Sequence, residues 1–359
     1  MPNKILVLYH YFEKDLSYRD NLCHFLAFAI NPNVDYVVVI SGPHSVELPD
    51  LSNIQYVFTE SKRSDFGGYA HVINEGLNIA PYEYIFFINS SVRGPFTAPH
   101  QKQSWLEIFL EQLQSNGDDV GIVGSTICTL DSNFRHSIHY QERFGGSPPF
   151  SHVQTMVYGL PSAVLKRLIA SGFYQEDRDK TKTLAIENYE IHLSQLILQQ
   201  GKNLRCLLPE FNQVDYRLPH SNINPTSTIG DPNEVLGYFG RSVHPYEVLF
   251  VKTNRHLYTE EYLARLAYSM QIASGSSRPM ALRENAAVQN YLAHIKALAL
   301  SSNSVCDFGY LPGYLENQAK LELALEELSQ AKESLNNVLH SNSWKLTAPI
   351  RRLLGWLRK

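Results

Sequence analysis

The feature that most constrains this chain is a short apolar run that ends abruptly in small polar residues. Tyr84–Ile88 is followed directly by Asn89-Ser90-Ser91, then by Arg93 and a Gly94-Pro95 turn. A continuous apolar run bounded by turn residues is typical of a strand covered on both faces of an α/β sheet. In open α/β sheets, ligands bind beyond the carboxyl ends of the strands. We therefore expect Asn89–Arg93 to lie at a binding site, although an ordinary strand-to-loop exit explains the same pattern.

Apolar runs and helical patterns alternate around this strand. The pattern predicts strands at Lys4–Tyr9, Tyr36–Ile40, Ile54–Phe58, Val120–Ser125, His152–Leu160, Leu204–Leu208 and Glu247–Val251. It predicts helices at Leu22–Ile30, Tyr69–Leu77, Trp105–Gln114, Ser162–Ser171, Ala185–Gln200 and Glu260–Ser269. Such alternation indicates an α/β fold with a Rossmann-like, mostly parallel sheet flanked by helices over residues 1–270. The sequence lacks the Gly-x-Gly-x-x-Gly fingerprint, which disfavours a dinucleotide enzyme.

Composition narrows the class of protein. The 359 residues are 44% apolar, enough for a large core, and the formal net charge of -4 gives no basic field for nucleic acid. The four cysteines are scattered without a Cys-x-x-Cys pair, which favours reduced thiols in a cytosolic protein over disulfides or a zinc site. No signal peptide and no membrane-spanning run is predicted, so we expect a cytoplasmic location.

The segment before the Tyr69–Leu77 helix has the composition of an anion site. Gly67 and Gly68 let a backbone approach a ligand closely, and a helix N-terminus favours negative charge. Arg63 adds positive charge for a phosphate. Asp65 either accepts hydrogen bonds from a ribose or base, or caps the helix.

Three further groups are candidates for chemistry. His152 and Gln154 alternate along a strand, so both are expected to point into one cleft, although a core histidine explains His152 as well. Glu187 and Glu190 are three apart in the first turn of a helix and share a face. That pair either complements the helix dipole or includes a carboxylate that takes a proton from a hydroxyl.

A basic stretch near residue 250 is the last candidate. His244, Lys252 and Arg255 flank a predicted strand, where they either close over a diphosphate or form a solvated edge.

Two blocks carry a family resemblance. Arg-x-Asp-Phe-Gly-Gly-Tyr from Arg63 and Asn-Ser-Ser-Val-Arg-Gly-Pro-Phe from Asn89, separated by a helix and a strand, resemble the rhamnan synthesis protein F family of glycosyltransferases. The His-x-Gln-Thr block at His152 resembles a further motif of that family. The resemblance implies a GT-A-type nucleotide-sugar transferase. Such a protein would be a hexosyl- or deoxyhexosyl-transferase, and only the family suggests rhamnose as the sugar.

The resemblance also implies roles for individual residues. For catalysis it implies Glu187 as the first choice of base, Glu190 as the second, and His152 beside them. For the donor it implies Arg63, Asp65, Gly67, Gly68, Asn89, Ser90, Ser91, Arg93, Lys252 and Arg255. For the acceptor it implies Gln154, Tyr158 and Gly159.

The chain departs from the GT-A pattern where a metal would be held. In those enzymes an Asp-x-Asp motif ends the fourth strand and holds a divalent cation, whereas this chain has Asn89, Ser90 and Ser91. Mg²⁺ and Mn²⁺ prefer oxygen ligands that include a carboxylate. We therefore expect no metal ligands and a metal-independent enzyme that neutralises the diphosphate with arginine or lysine; a bound divalent cation is the alternative.

The C-terminal part has a different character. After a helical connector at residues 271–313, leucines recur every seven residues from Leu321 to Leu335, predicting a coiled coil or a single amphipathic helix at residues 314–340. Residues 341–359 mix Trp and Leu with Lys and Arg, which suits a helix in the interface of an anionic membrane. This tail also resembles one found on bacterial polysaccharide glycosyltransferases, and packing on the protein or a partner is the alternative.

These observations lead to one main expectation and two competitors. The main one is an inverting glycosyltransferase, peripheral at the inner face of the cell membrane, which uses a nucleotide diphosphate sugar and a glycan or lipid-linked glycan acceptor. We expect the coiled coil to form a homodimer, and we expect no nucleic acid partner. The competitors are a catalytically inactive nucleotide-sugar- or glycan-binding scaffold, and a nucleotidyltransferase, which would need a metal held by carboxylates.

Overall fold

The computed structural model describes residues 4–59, 64–115, 119–175, 182–227, 229–255, 257–274 and 278–301. All of them belong to the first of two compact units, Met1–Gly309. The second unit, Tyr310–Lys359, lies outside the described residues, and so do the predicted coiled coil and tail. Arg63 lies outside them as well.

The described strands and helices alternate along most of the chain. The strands are β1 (Ile5–Tyr11), β2 (Asp35–Ser41), β3 (Ile54–Thr59), β4 (Tyr84–Asn89), β5 (Val92–Arg93), β6 (Val120–Gly124), β7 (Ile127–Leu130), β8 (Phe150–Val153), β9 (Val157–Pro161), β10 (Asn203–Cys206) and β11 (Val251–Lys252). The helices are α1 (Leu16–Phe28), α2 (Asp65–Asn74), α3 (Trp105–Gln114), α4 (Arg135–Phe144), α5 (Ser162–Ala170), α6 (Lys182–Ala185), α7 (His192–Gln199), α8 (Pro245–Val248), α9 (Glu260–Ser274), α10 (Met280–Glu284) and α11 (Ala286–Ala299). A π-helical turn, Ile186–Ile191, joins α6 to α7.

A seven-stranded sheet in the order β10-β6-β9-β4-β1-β2-β3 forms the centre of the molecule. Every neighbouring pair is parallel except for the two that involve β9, which runs antiparallel to β4 and β6. The prediction of an α/β fold with a mostly parallel sheet flanked by helices is confirmed. Two smaller ribbons, β5–β11 and β7–β8, lie beyond the ends of the main strands.

The apolar run that predicted β4 lies at the middle of the core. Ile85 to Ile88 are completely buried, and the ring of Phe87 stacks on Tyr158 with centroids 4.7 Å apart. Each such side chain contributes about 1.5–3 kcal/mol by leaving water. The burial on both faces explains why the run shows no alternation of polar and apolar residues.

Two predicted strands are wrong in the structure. His152–Leu160 is not continuous, because β8 pairs with β7 in a small ribbon while β9 belongs to the main sheet. The stretch predicted as Glu247–Val251 instead contains helix α8 followed by the two-residue strand β11. Pro245 at the first helical position and a capping box between His244 and Glu247 stabilise that short helix.

The described part of the predicted connector packs on the domain rather than leaving it. Helix α11 lies against α9 and α1, and the Tyr291 hydroxyl is 2.8 Å from Nδ1 of the buried His24. Within the described residues, no helix combines the length and the apolar character needed to cross a membrane.

Candidate active site

A polar cluster lies where the carboxyl end of β4 meets the N-terminus of α2. The Asn89 amide donates a 2.7 Å hydrogen bond to the Asp65 carboxylate, and its Oδ1 accepts from both the backbone N–H and the hydroxyl of Ser91, at 3.1 and 2.6 Å. Ser64, not Asp65, caps the helix, through a 3.2 Å bond to the Gly67 N–H. The Asp65 carboxylate is therefore held at the strand end without serving as the cap.

Burial raises the pKa of Asp65, and the hydrogen bond from Asn89 opposes that shift. The nearby charge of Glu190 raises it further, whereas Lys252 lowers it. The backbone brings Asp65, Glu190 and Lys252 to the carboxyl end of β4. Thr155, which donates to Glu190, precedes Met156, whose carbonyl accepts from the Asn89 N–H. Lys252 pairs with Val92, just beyond the same strand end. We call the space at this strand end the cleft and define it by Asp65, Asn89, His152, Glu190 and Lys252.

Glu190 forms the opposite wall of the cleft. Its carboxylate accepts hydrogen bonds from the backbone N–H and hydroxyl of Thr155, at 3.1 and 3.2 Å. Burial works to raise the pKa of Glu190, but the charges of Lys252 and His152 and the bonds from Thr155 outweigh it and lower the pKa. Among the described residues, the Lys252 ammonium has no ion pair within 4 Å and no hydrogen bond, so its charge is available within the cleft.

Glu187 and Glu190 do not share a face as predicted. Glu190 turns to Thr155, whereas one oxygen of Glu187 lies 3.0 Å from Nδ1 of His136 and 3.1 Å from Nδ1 of His139, both on α4. The physical reason is the π-helical turn, whose wider coil rotates residues three apart away from a common face.

His152 and Gln154 are buried and adjacent to the cleft. The His152 Nδ1 lies 3.1 Å from the Phe150 carbonyl, and burial lowers the pKa of its ring against the opposing charge of Glu190. Gln154 Oε1 accepts hydrogen bonds of 2.6 Å from both Thr126 and Asn233. The Oε1 atom of Gln154 therefore ties the loop after β6 to the long segment that contains Asn233.

The other predicted cation of the C-terminal stretch is already paired. Arg255 forms a salt bridge with Asp231, whose side chain is 5% exposed. Asp231 also accepts a 2.8 Å bond from the Asn233 N–H, and its charge acts on both His152 and Arg255. Arg255 thus anchors the segment beside the cleft and is a less available partner for a diphosphate than Lys252.

Arg93 does not enter the cleft. Its guanidinium is buried and bonds to Asn21 at 2.9 Å and to Glu260, so it joins β5 to α1 and α9. The two-residue ribbon explains the difference, because Arg93 pairs with Val251 and its neighbour Val92 pairs with Lys252. The predicted donor contact of Arg93 is replaced by a structural role.

Tyr158 and Gly159 also have packing roles. Tyr158 is fully buried between Phe66 and Phe87, and a Cβ at Gly159 would lie 2.4 Å from the Phe86 ring. Residues enclosed in the sheet core cannot contact an acceptor in this structure, so the acceptor-binding prediction for both is corrected.

Two more donor-site predictions have structural explanations. The Ser90 hydroxyl bonds to the backbone N–H and carbonyl of Phe12, which ties β4 to the end of β1. Gly68 allows close packing rather than ligand approach, because a Cβ there would lie 2.2 Å from the ring of His10. Gly67 is buried within the first turn of α2.

The donor set at the strand end does not fit a tight divalent-metal site. Hard cations need several oxygen ligands, but the Asn89 oxygen is engaged by Ser91 and the Asn89 amide occupies one oxygen of Asp65. Among the described residues, no group of three or more His, Cys, Asp and Glu side chains is arranged to hold a metal ion. We therefore derive no chemical step through a metal.

Sequence reasoning missed several residues of this region. His136 and His139 carry a detectable signal, because histidines three apart on a helix share a face. Thr155 belongs to the His-x-Gln-Thr block, but nothing in that block indicates that it bonds to Glu190. Asp231 and Asn233 carry no signal, since they lie on an irregular segment whose position only the tertiary structure decides.

No protein-family model matches this chain, and no curated protein matches it either. Its function must therefore be argued from the cleft itself.

Proposed function

We propose that this protein is a GT-A-type glycosyltransferase that moves a sugar from a nucleotide diphosphate sugar to a hydroxyl of a cell-surface polysaccharide. One observation carries the proposal: a partly exposed lysine and two carboxylates, Lys252, Asp65 and Glu190, lie around the end of β4 at the carboxyl edge of a mostly parallel sheet. That edge is where α/β folds of this kind bind ligands.

Each wall of the cleft suits one part of a sugar nucleotide. The Asp65 carboxylate, with one oxygen bonded by Asn89, has acceptor capacity left for sugar or ribose hydroxyls. Lys252 offers a cation for the diphosphate, and Arg63, two residues before Asp65 in the sequence, offers another. Glu190 is held in place by Thr155, and the charge of Lys252 lowers its pKa.

The proposed reaction is a single inverting displacement. The acceptor oxygen attacks the anomeric carbon as the bond from that carbon to the diphosphate oxygen breaks. The nucleoside diphosphate leaves with the electron pair, and a basic group of the chain takes the hydroxyl proton. Lys252 stabilises the developing negative charge of the leaving group, a task that needs no metal when a cation is already present.

The remaining parts of the proposal depend on sequence. A lipid-linked acceptor at the inner face of the membrane would agree with the basic, tryptophan-containing residues 341–359, and a homodimer with the heptads of residues 314–340. A cytoplasmic, peripheral location follows from the same proposal. Whether the sugar is a hexose or a deoxyhexose such as rhamnose is to be determined by testing a panel of donors.

The test is turnover of a panel of nucleotide sugars by the full chain, measured as released nucleoside diphosphate with and without EDTA. We expect one donor to support release that EDTA does not abolish. Lys252→Met should lower that release by about 10²-fold or more, because it removes the cation that stabilises the leaving group. Lys166→Met, at an exposed position on α5, is the matched control and should have no effect.

The same screen contains the result that would overturn the proposal. If a nucleotide sugar binds but none is turned over with any glycan acceptor, the inactive binding scaffold replaces the enzyme. Release that EDTA abolishes would keep the transferase and exclude the metal-independent mechanism.

A further inference from the structure

Two imidazoles converge on one buried carboxylate beside the cleft. The Nδ1 atoms of His136 and His139 lie 3.0 and 3.1 Å from the same oxygen of Glu187. The Glu187 side chain is 4% exposed, whereas those of His136 and His139 are 20% and 42% exposed. Both rings are thus more exposed than the carboxylate to which they bond.

This arrangement determines which nitrogen of each ring carries a proton. A carboxylate only accepts hydrogen bonds, so each Nδ1 must donate its N–H to Glu187. In the neutral ring, Nε2 then holds the lone pair and acts as a base. Among the described residues, neither Nε2 atom has a hydrogen-bond partner, so both are free to accept one from a substrate.

His136 is the more enclosed of the two rings, with 20% of its side chain exposed against 42% for His139. Glu187, to which both rings bond, belongs to the same π-helical turn as Glu190 of the cleft. The charge of His136 also acts on the buried His152. The less exposed ring, His136, is therefore the candidate partner of the cleft.

We propose that Nε2 of His136 is the group that takes the proton from the acceptor hydroxyl, with Glu187 as a positioning residue that holds the ring in the required tautomer. The inference rests on the proposed glycosyl transfer. As the acceptor oxygen bonds to the anomeric carbon and the diphosphate departs, the O–H bond breaks and its proton moves to Nε2. The resulting imidazolium is stabilised by the buried carboxylate at Nδ1.

The two glutamates first considered as bases suit other tasks. Glu190 accepts two hydrogen bonds from Thr155 and lies near Lys252, and these interactions favour its charged form and weaken it as a proton acceptor. Glu187 is enclosed behind two imidazoles and has no direct route to an acceptor hydroxyl. A histidine oriented by Glu187 resolves both difficulties.

The kinetic test compares two variants that lose the same bond to Glu187. His136→Gln should lower kcat for sugar transfer by about 10²–10⁴-fold, the usual contribution of a general base, while the Kd of the nucleoside diphosphate stays within twofold. His139→Gln should leave kcat within about threefold. Added imidazole should restore part of the activity of His136→Ala and none of the activity of Lys252→Met.

A spectroscopic test needs no activity. In ¹⁵N-labelled full-length protein, side-chain ¹⁵N–¹H correlations should show His136 with a protonated Nδ1 and a bare Nε2. Glu187→Met should shift that ring toward the Nε2–H tautomer, and an unchanged far-UV circular dichroism spectrum would establish that the variant is folded.

The outcomes separate this inference from the proposed function. If His136→Gln transfers sugar at the rate of the unaltered protein, or if His136 carries its proton on Nε2, the base assignment is wrong and the transferase stands. If the unaltered protein turns over no donor, the proposed function fails, and the base assignment fails with it whatever the tautomer.

Discussion

The two carboxylates of the cleft have different partners. Asp65, beside the end of β4 on what we call the strand wall, has one amide donor from Asn89. Glu190, on the helix wall formed by the π-helical turn, has two donors from Thr155 and the nearby charge of Lys252. The pKa of Asp65 is consequently raised by its burial, and that of Glu190 is lowered by its partners. Folding therefore favours the neutral form of Asp65 and the charged form of Glu190. The comparison shows that nearby charges, and after them hydrogen-bond donors, decide the direction in which the pKa of a buried carboxylate moves.

The two walls also differ in what supports them. The strand wall belongs to the main core, which includes Phe87 and the whole central sheet. The helix wall rests in part on a small separate cluster beneath α4, which we call the satellite cluster: Cys128, Leu130, Tyr140, Phe150 and Ile191. Elements over few buried contacts open at lower cost than core strands. We therefore expect the helix wall to open at lower cost than the strand wall.

The largest expected effect tests this difference in support. Phe87→Ala should lower the free energy of unfolding by about 3–5 kcal/mol, because it leaves a cavity among stacked rings of the core. Phe150→Ala, equally buried in the satellite cluster, should cost less, because α4 can detach while the sheet stays folded. Urea unfolding followed by circular dichroism measures both.

Hydrogen exchange sharpens that prediction. In Phe150→Ala, exchange should accelerate in α4 and leave β4 protected. Equal losses of stability in the two variants, with uniform exchange, would mean that the satellite cluster is part of one cooperative core.

An intermediate effect compares the two cations of the β5–β11 ribbon. Arg93→Met should lower the free energy of unfolding by about 2–4 kcal/mol, since it leaves the Oδ1 atom of Asn21 without its donor and removes the bond to Glu260. Lys252→Met should change that free energy by about 1 kcal/mol or less, because the lysine is partly exposed and makes no ion pair within 4 Å in the described part of the chain. The variant loses only the longer-range attraction between Lys252 and Glu190.

Binding should show the reverse order for these two variants. Calorimetric titration with a nucleoside diphosphate is expected to lose affinity for Lys252→Met and to keep it for Arg93→Met. Weakened binding in Arg93→Met, with Lys252→Met unaffected, would return Arg93 to the donor site and remove Lys252 from it.

The smallest expected effect, about 1 kcal/mol, concerns pH. The folded pKa of Glu190 is lowered, so its contribution to stability is present above the unfolded pKa and is lost as pH falls through the folded value. Glu190→Gln should therefore lower stability at pH 7 and converge with the unaltered protein in acid. The folded pKa of Asp65 is raised, so ionisation costs stability as pH rises, and Asp65→Asn should be the more stable protein at pH 7.

Thermal unfolding between pH 3 and 7 measures the two differences. Asn at position 65 keeps an oxygen that accepts from Asn89, so this variant is a test of charge rather than of the hydrogen bond. If both variants lost stability alike at pH 7, the contrast between the two walls would be wrong.

Local pattern was sufficient for much of the fold. The apolar run at β4 and the amphipathic spacing of α3 have the same limits in sequence and structure to within a residue, because burial of a strand or a helix face leaves a direct trace in the order of residues. Pattern failed at residues 247–251, where buried apolar side chains serve a capped helical turn and a two-residue strand. A short apolar run in the sequence does not distinguish a strand from a helical turn.

For the cleft, the sequence by itself determined that Asn89 ends a central strand and that Asp65 lies shortly before a helix. The helix was predicted at Tyr69–Leu77, whereas in the structure it begins at Asp65 itself. Only the tertiary structure decided that Arg93 turns away, that Tyr158 and Gly159 belong to the core, and that Glu187 faces two histidines some fifty residues distant in the chain. The physical reason is that strand and helix formation depend on neighbours in sequence, whereas the partners of a charged side chain depend on which distant segments pack beside it. One π-helical turn was enough to separate Glu187 from Glu190 and give them different chemistry.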